Sequence, residues 1–222
     1  MMRRLGVAGA LLVIAHHAAT GQTSAELLSS DPEVSAELSK IVESVRTNGL
    51  PIEPVVAQAR RGALIHAPSA RIISAAQAVA NRLVIAREAL GPRSAGADLA
   101  AGENALAVKG VTRDMLEVIR AAQPAKTVAV PLGVMAQLVA SGVAPGQATE
   151  IVSRLIRAGA TNAQLVSLGN DVNQDVTAGG GAMASLQVRL ETLKPLLARG
   201  AGAPVSAQTI LGPATPTGRG RP

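Results

Sequence analysis

The chain has 222 residues, with 21 Lys and Arg against 15 Asp and Glu, no Cys, and no Phe, Tyr or Trp. The missing cysteines exclude disulfides, thiol catalysis and thiolate metal ligands, and the missing aromatic rings leave no platform on which a nucleobase could stack, so the reading is of no nucleic-acid binding. The net charge of +6 overstates the basic character of the folded part, because Arg3, Arg4, Arg219 and Arg221 lie near the ends, and residues 22–200 carry 17 basic and 15 acidic side chains.

At the N-terminus, Arg3 and Arg4 precede an apolar run from Leu5 to Ala15, and Ala18, Ala19, Thr20 and Gly21 come after it. Basic start, short apolar stretch and small residues make residues 1–21 read as a signal peptide. The run is too short to span a bilayer core of about 30 Å as a helix. With no Cys at the expected cleavage site, no lipoprotein anchor is expected, nor any integral membrane segment after removal of the signal. The expected location is periplasmic or extracellular.

Helical periodicity dominates the rest of the chain. Asp31-Pro32-Glu33 supplies an N-cap, a first-turn proline and a first-turn acid. Val34, Leu38, Ile41, Val42 and Val45 then fall on one face, up to the stop at Asn48-Gly49. A second helix restarts at Pro51, carries Ile52, Val55, Val56 and Ala59, and is expected to end at Gly62. The longest begins after Pro68, with Ser69 as its expected cap. Its stripe is Ile72, Ala76, Val79, Leu83, Ala86 and Leu90, and Gly91-Pro92 ends it.

A small-residue segment spans Arg93 to Gly102, and two turns of helix are expected from Glu103 to Lys109. Shorter elements come next. Thr112 is placed to cap a helix with Met115, Leu116 and Ile119, and Pro131 leads one with Leu132, Met135, Leu138 and Val139. Pro145 opens a helix whose Ala148, Ile151, Val152, Leu155 and Ile156 share a face. Thr161-Asn162-Ala163-Gln164 has capping-box spacing before Leu165, Leu168, Val172 and Val176. The last helix carries Leu186, Leu190, Leu193 and Leu197, with Pro195 as the place for a kink. Thr127 to Val130 is the one short strand candidate. Glycine stops spaced by about half and one helical-hairpin unit of roughly 33 residues suggest a repeat. The expected fold class is all-α: short amphipathic helical hairpins in an irregular repeat-like array or a compact multi-helix bundle. Residues 22–200 form the helical domain, and 201–222, rich in Gly and Pro, a disordered tail.

Chemistry-bearing patterns are few. His66 is the one histidine beyond the signal segment, and neither a G-x-S-x-G elbow nor an S-x-x-K spacing marks a nucleophile. Asp171, Asn173 and Asp175 match the first three alternating ligands of a calcium loop, but Val176 stands where the turn needs Gly and Ala182 where a bidentate Glu belongs. A solvated helix flank is the preferred reading. Arg60-Arg61, and Arg154 with Arg157, read as solvated faces and as weak candidates for an acidic partner. No residue is assigned a catalytic, cofactor-binding or metal role, and no cofactor is expected.

The segments Gly49-Leu50-Pro51-Ile52-Glu53-Pro54-Val55-Val56-Ala57-Gln58-Ala59, His66-Ala67-Pro68-Ser69-Ala70-Arg71-Ile72-Ile73 and Ala86-Arg87-Glu88-Ala89-Leu90-Gly91 carry a resemblance. They resemble a group of uncharacterised secreted all-helical bacterial proteins with G-L-P-x-x-P, G-A-P-x-x-R-I-V and A-R-E-A-L-G patterns. Val130-Pro131-Leu132 and Ser141-Gly142-Val143-Ala144-Pro145 extend the likeness over about residues 45 to 180. Gln58 replaces the group's usual Lys. The resemblance implies export and a helical fold, and transfers no activity. The functional expectation is a non-catalytic helical scaffold or protein-interaction module of the cell envelope, with another envelope protein as possible partner. The alternatives are an apolar small-molecule or lipid carrier, and a metal-independent hydrolase.

Overall fold

The computed structural model describes residues 32–200, which form nine α-helices and no strand. They are α1 (Pro32–Thr47), α2 (Glu53–Leu64), α3 (Ser69–Leu90), α4 (Gly96–Leu106), α5 (Arg113–Ala122), α6 (Ala129–Ala140), α7 (Pro145–Arg157), α8 (Asn162–Thr177) and α9 (Ala182–Gly200). The expected signal peptide, the Asp31 cap and the expected tail lie outside the described residues. No helix among those described is long and apolar enough to cross a membrane. The helices cluster into two compact units, one ending at Glu103 and one beginning at Asn104, so the division falls inside α4.

In the first unit, α2 and α3 form an antiparallel hairpin, and α1 packs chiefly on α3. The α1 stripe of Val34, Leu38, Ile41, Val42 and Val45 is buried, as is the whole α3 stripe from Ile72 to Leu90. Each fully buried Leu, Ile or Val contributes about 1.5–3 kcal/mol before ordering losses, and small residues supply the rest by allowing close approach. A Cβ on Gly62 would lie 2.8 Å from Cγ1 of Ile72, so α2 and α3 pack backbone against side chain there. At the other end of α3, Arg87 donates to the Gly49 carbonyl at 2.6 Å. Arg82 donates through Nε to Glu103 Oε1 at 2.9 Å, and this carboxylate is buried, tying α4 to α3.

In the second unit, α6 packs on α7 and α8, α5 on α7, and α9 on α8. Leu116, Ile119, Leu132, Met135, Leu138, Val152, Leu165, Val172 and Leu186 are completely or almost completely buried. Thr161 caps α8 as its spacing predicts: its hydroxyl accepts from the Gln164 amide at 3.2 Å, and Gln164 Oε1 accepts from the Thr161 amide at 2.8 Å. Ser69 is the first residue of α3 rather than its cap, which is Pro68. Thr112 stands at the N-cap of α5 without a side-chain hydrogen bond. Pro195 lies inside α9.

Several expected boundaries move, among them the start of the second helix, at Glu53 rather than Pro51, and the end of α4, at Leu106 rather than Lys109. α4 begins at Gly96 rather than Glu103, because its alanines are strong helix formers and Leu99 and Ala105 find buried positions. The strand candidate at Thr127 to Val130 instead leads into α6, which starts at Ala129. And α2 continues past Gly62 to Leu64.

Among the described residues, five helices end with one backbone arrangement. A residue with positive φ gives its N–H to the carbonyl three residues back, and the next residue's N–H reaches the carbonyl five back. Gly49, Gly142, Gly159 and Gly179 hold the positive-φ place after α1, α6, α7 and α8. After α2 it is His66, at φ 52°.

Candidate functional site

Asp171, Asn173 and Asp175 do not meet as a calcium loop, because the backbone carrying them is helical. Residues four apart share a helix face, while the one between them points elsewhere. Asn173 faces α6, where its Oδ1 accepts from Ser141 Oγ at 3.3 Å, and neighbouring Asn170 accepts from Gln137 Nε2 at 3.2 Å. Asp171 and Asp175 face α9. There Arg189 donates through Nε to Asp175 Oδ2 at 2.9 Å and through its terminal nitrogen to Oδ1 at 2.7 Å, with Asp171 Oδ2 at 3.9 Å. The fork matches the carboxylate plane and holds Asp175 in its charged form. These hydrogen bonds, opposed by partial burial and reinforced by the charge of Arg189, lower the Asp175 pKa; the same pair raises that of Arg189.

Arg189 therefore supplies the cation that the two carboxylates need, and their mutual repulsion at this spacing is relieved from α9. A cleft of about 280 Å³ lies beside the pair, lined by Gln164, Ser167, Leu168, Asp171, Arg189 and Leu193 among others. Its volume falls just below the roughly 300–1,000 Å³ of small-molecule sites. On its polar wall Arg189 is already taken by Asp175 and Gln164 by Thr161. Chemically, this arrangement is a helix-to-helix clamp.

His66 is exposed in the turn between α2 and α3, and among the described residues its imidazole has no hydrogen-bonded carboxylate or hydroxyl. Arg154 and Arg157 are engaged within α7: Arg154 pairs with Glu150, and Arg157 donates to Ser153 Oγ at 3.0 Å. Arg60 and Arg61 differ. They and Arg71 are exposed and, among the described residues, form no ion pair or side-chain hydrogen bond.

Those arginines surround a feature that apolar periodicity does not mark. Leu64 and Ile65, at the tip of the α2–α3 hairpin, are 79% and 71% exposed; among the described residues Val188 on α9 follows at 61%, and the other exposed large aliphatic side chains lie at 43% or below. The signal is partly present in the sequence: the buried face of α2 runs through Val55, Ala59 and Gly62, and Leu64 falls on the opposite side, while Ile65 stands just past the helix end. Helix geometry puts Arg60 and Arg61 one turn before them, and Arg71 lies in the first turn of α3. Arg189 and Glu103 are also unmarked in sequence, since each partner lies on another helix. Searches against known protein families, curated proteins and solved structures find no match.

Proposed function

We propose that the protein is a non-catalytic helical interaction module of the cell envelope, acting through the tip of the α2–α3 hairpin. One observation carries the reading: two large aliphatic side chains stand almost fully in solvent beside three guanidinium groups that are unpaired among the described residues. Isolated exposed aliphatics are ordinary, and what supports the reading is that two adjacent ones are strongly exposed in a segment whose nearby charges are all basic. Export is supported by Arg3, Arg4 and the Leu5–Ala15 run. The self-paired Asp175–Arg189 clamp favours a structural use of the strongest polar cluster over a chemical one.

The test is site-specific photo-crosslinking in envelope preparations. A photoreactive residue replacing Ile65 is expected to form a reproducible adduct with a macromolecule or lipid, whereas one replacing Gln187 on α9 is not. Absence of any adduct at position 65 would contradict the assignment.

A further inference from the structure

We propose that the α2–α3 tip is a docking surface for an anionic lipid bilayer, an inference that rests on the proposed interaction role and names the partner. Three features of the tip converge on this occupant. The first is charge. Between Glu53 and Glu88 the chain has no acidic residue and five arginines. Arg82 is held by Glu103 and Arg87 by the Gly49 carbonyl. The remaining three, Arg60, Arg61 and Arg71, are the ones that flank the tip, and they are unpaired among the described residues. On α1, which packs against the hairpin, Glu37 and Glu43 are compensated by Lys40 and Arg46, so they do not neutralise it.

The second feature is shape. Leu64 and Ile65 project from a turn rather than lining a groove, and the segment around them, Ala67, Pro68 and Ala70, is small and uncharged. A stable protein interface buries about 800 Å² on each partner, usually around an aromatic or pocketed anchor. A two-residue aliphatic tip does not offer that. A bilayer interface does accept it: apolar side chains enter the headgroup boundary while basic ones stay level with lipid phosphates. Arginine stems can lie along the apolar layer with the guanidinium in the polar zone.

The third feature is backbone conformation. His66 takes the left-handed place that glycine takes in the four sister turns, although its Cβ disfavours it. A glycine there would be conformationally easier and would remove a polar side chain from the centre of the tip. A residue with a Cβ in this conformation, next to two strongly exposed aliphatic side chains, fits a contact role.

The test uses the full chain with vesicles of phosphatidylcholine alone and vesicles with phosphatidylglycerol added. Wild type is expected to float with the anionic vesicles, weakly with the neutral ones, and to be released by salt. Replacing Leu64 and Ile65 together by Ser should weaken binding more than tenfold. Replacing Arg60, Arg61 and Arg71 by Gln should weaken it by about fivefold per charge. All five side chains are exposed, so unchanged circular dichroism and melting are expected alongside. Every arm keeps the Leu5–Ala15 run, so differences between arms report on the tip. Equal flotation of wild type and both variants, or no preference for anionic vesicles, would overturn the proposal. A protein adduct from position 65 without vesicle binding would overturn it while leaving the interaction role standing; neither adduct nor vesicle binding would remove both.

Discussion

At the scale of single residues, the most informative position is His66. Four helix ends pair a positive-φ Gly with the same two backbone hydrogen bonds, and a fifth places His there with those two bonds. The left-handed penalty for a residue with a Cβ is about 1–2 kcal/mol. Glycine returns roughly 0.5–1 kcal/mol of that through its greater freedom in the unfolded chain. His66→Gly should therefore stabilise the fold by a few tenths to about 1 kcal/mol, readable in chemical denaturation. A destabilised variant would show that the imidazole makes a contact that matters. Asp175 gives a second residue-scale prediction. Arg189 lowers its folded-state pKa, so the clamp contributes stability above the unfolded aspartate value of about 3.9 and loses it as pH falls through the folded one. Asp175→Asn should lower the melting temperature at neutral pH and flatten its decline in acid. Parallel acid profiles for the two proteins would show that the clamp adds no stability.

At the scale of elements, what is legible in the sequence and what is not divide along a physical line. Stripes made of large aliphatic residues are legible. Val34 to Val45 on α1 and Ile72 to Leu90 on α3 are buried residue for residue, and the Thr161–Gln164 box forms both of its bonds. Short-range geometry alone decides such features. The start of α4 is not legible, because Gly96-Ala97-Asp98-Leu99-Ala100-Ala101-Gly102 offers one buried leucine and no apolar stripe. The end of α2 is hidden because glycine is the usual sign of a left-handed stop, and the residue there is His66. Partners on other helices, such as Arg189 for Asp175, leave no trace in local spacing. The leucine stripe of α9 is only half realised: Leu186 and Leu193 are buried, whereas Leu190 is partly exposed. Losing two buried leucines costs about 3–6 kcal/mol before entropic offsets. A chain stopping at Gly181 loses these and Arg189 as well, so its second unit should melt far below wild type. One stopping at Gly200 should melt with wild type. Coincident melting of both truncations would mean that α9 adds nothing to the unit it packs on.

At the scale of the whole molecule, the described residues gather many large aliphatic side chains into two compact cores, and Leu64 and Ile65 at the α2–α3 tip are the adjacent pair left most exposed. The proposed role at an anionic lipid surface stands on that pair. The composition provides an unusually clean measurement, since the chain contains no Trp, Tyr or Phe. Ile65→Trp makes the tip the sole source of indole emission, and a separate Val188→Trp variant does the same for an exposed aliphatic position on α9. On adding anionic vesicles, emission from position 65 is predicted to shift to the blue and to become shielded from an aqueous quencher, while emission from position 188 stays unchanged. Unchanged emission at 65, or equal shifts at both positions, would contradict the assignment of the tip as the docking surface.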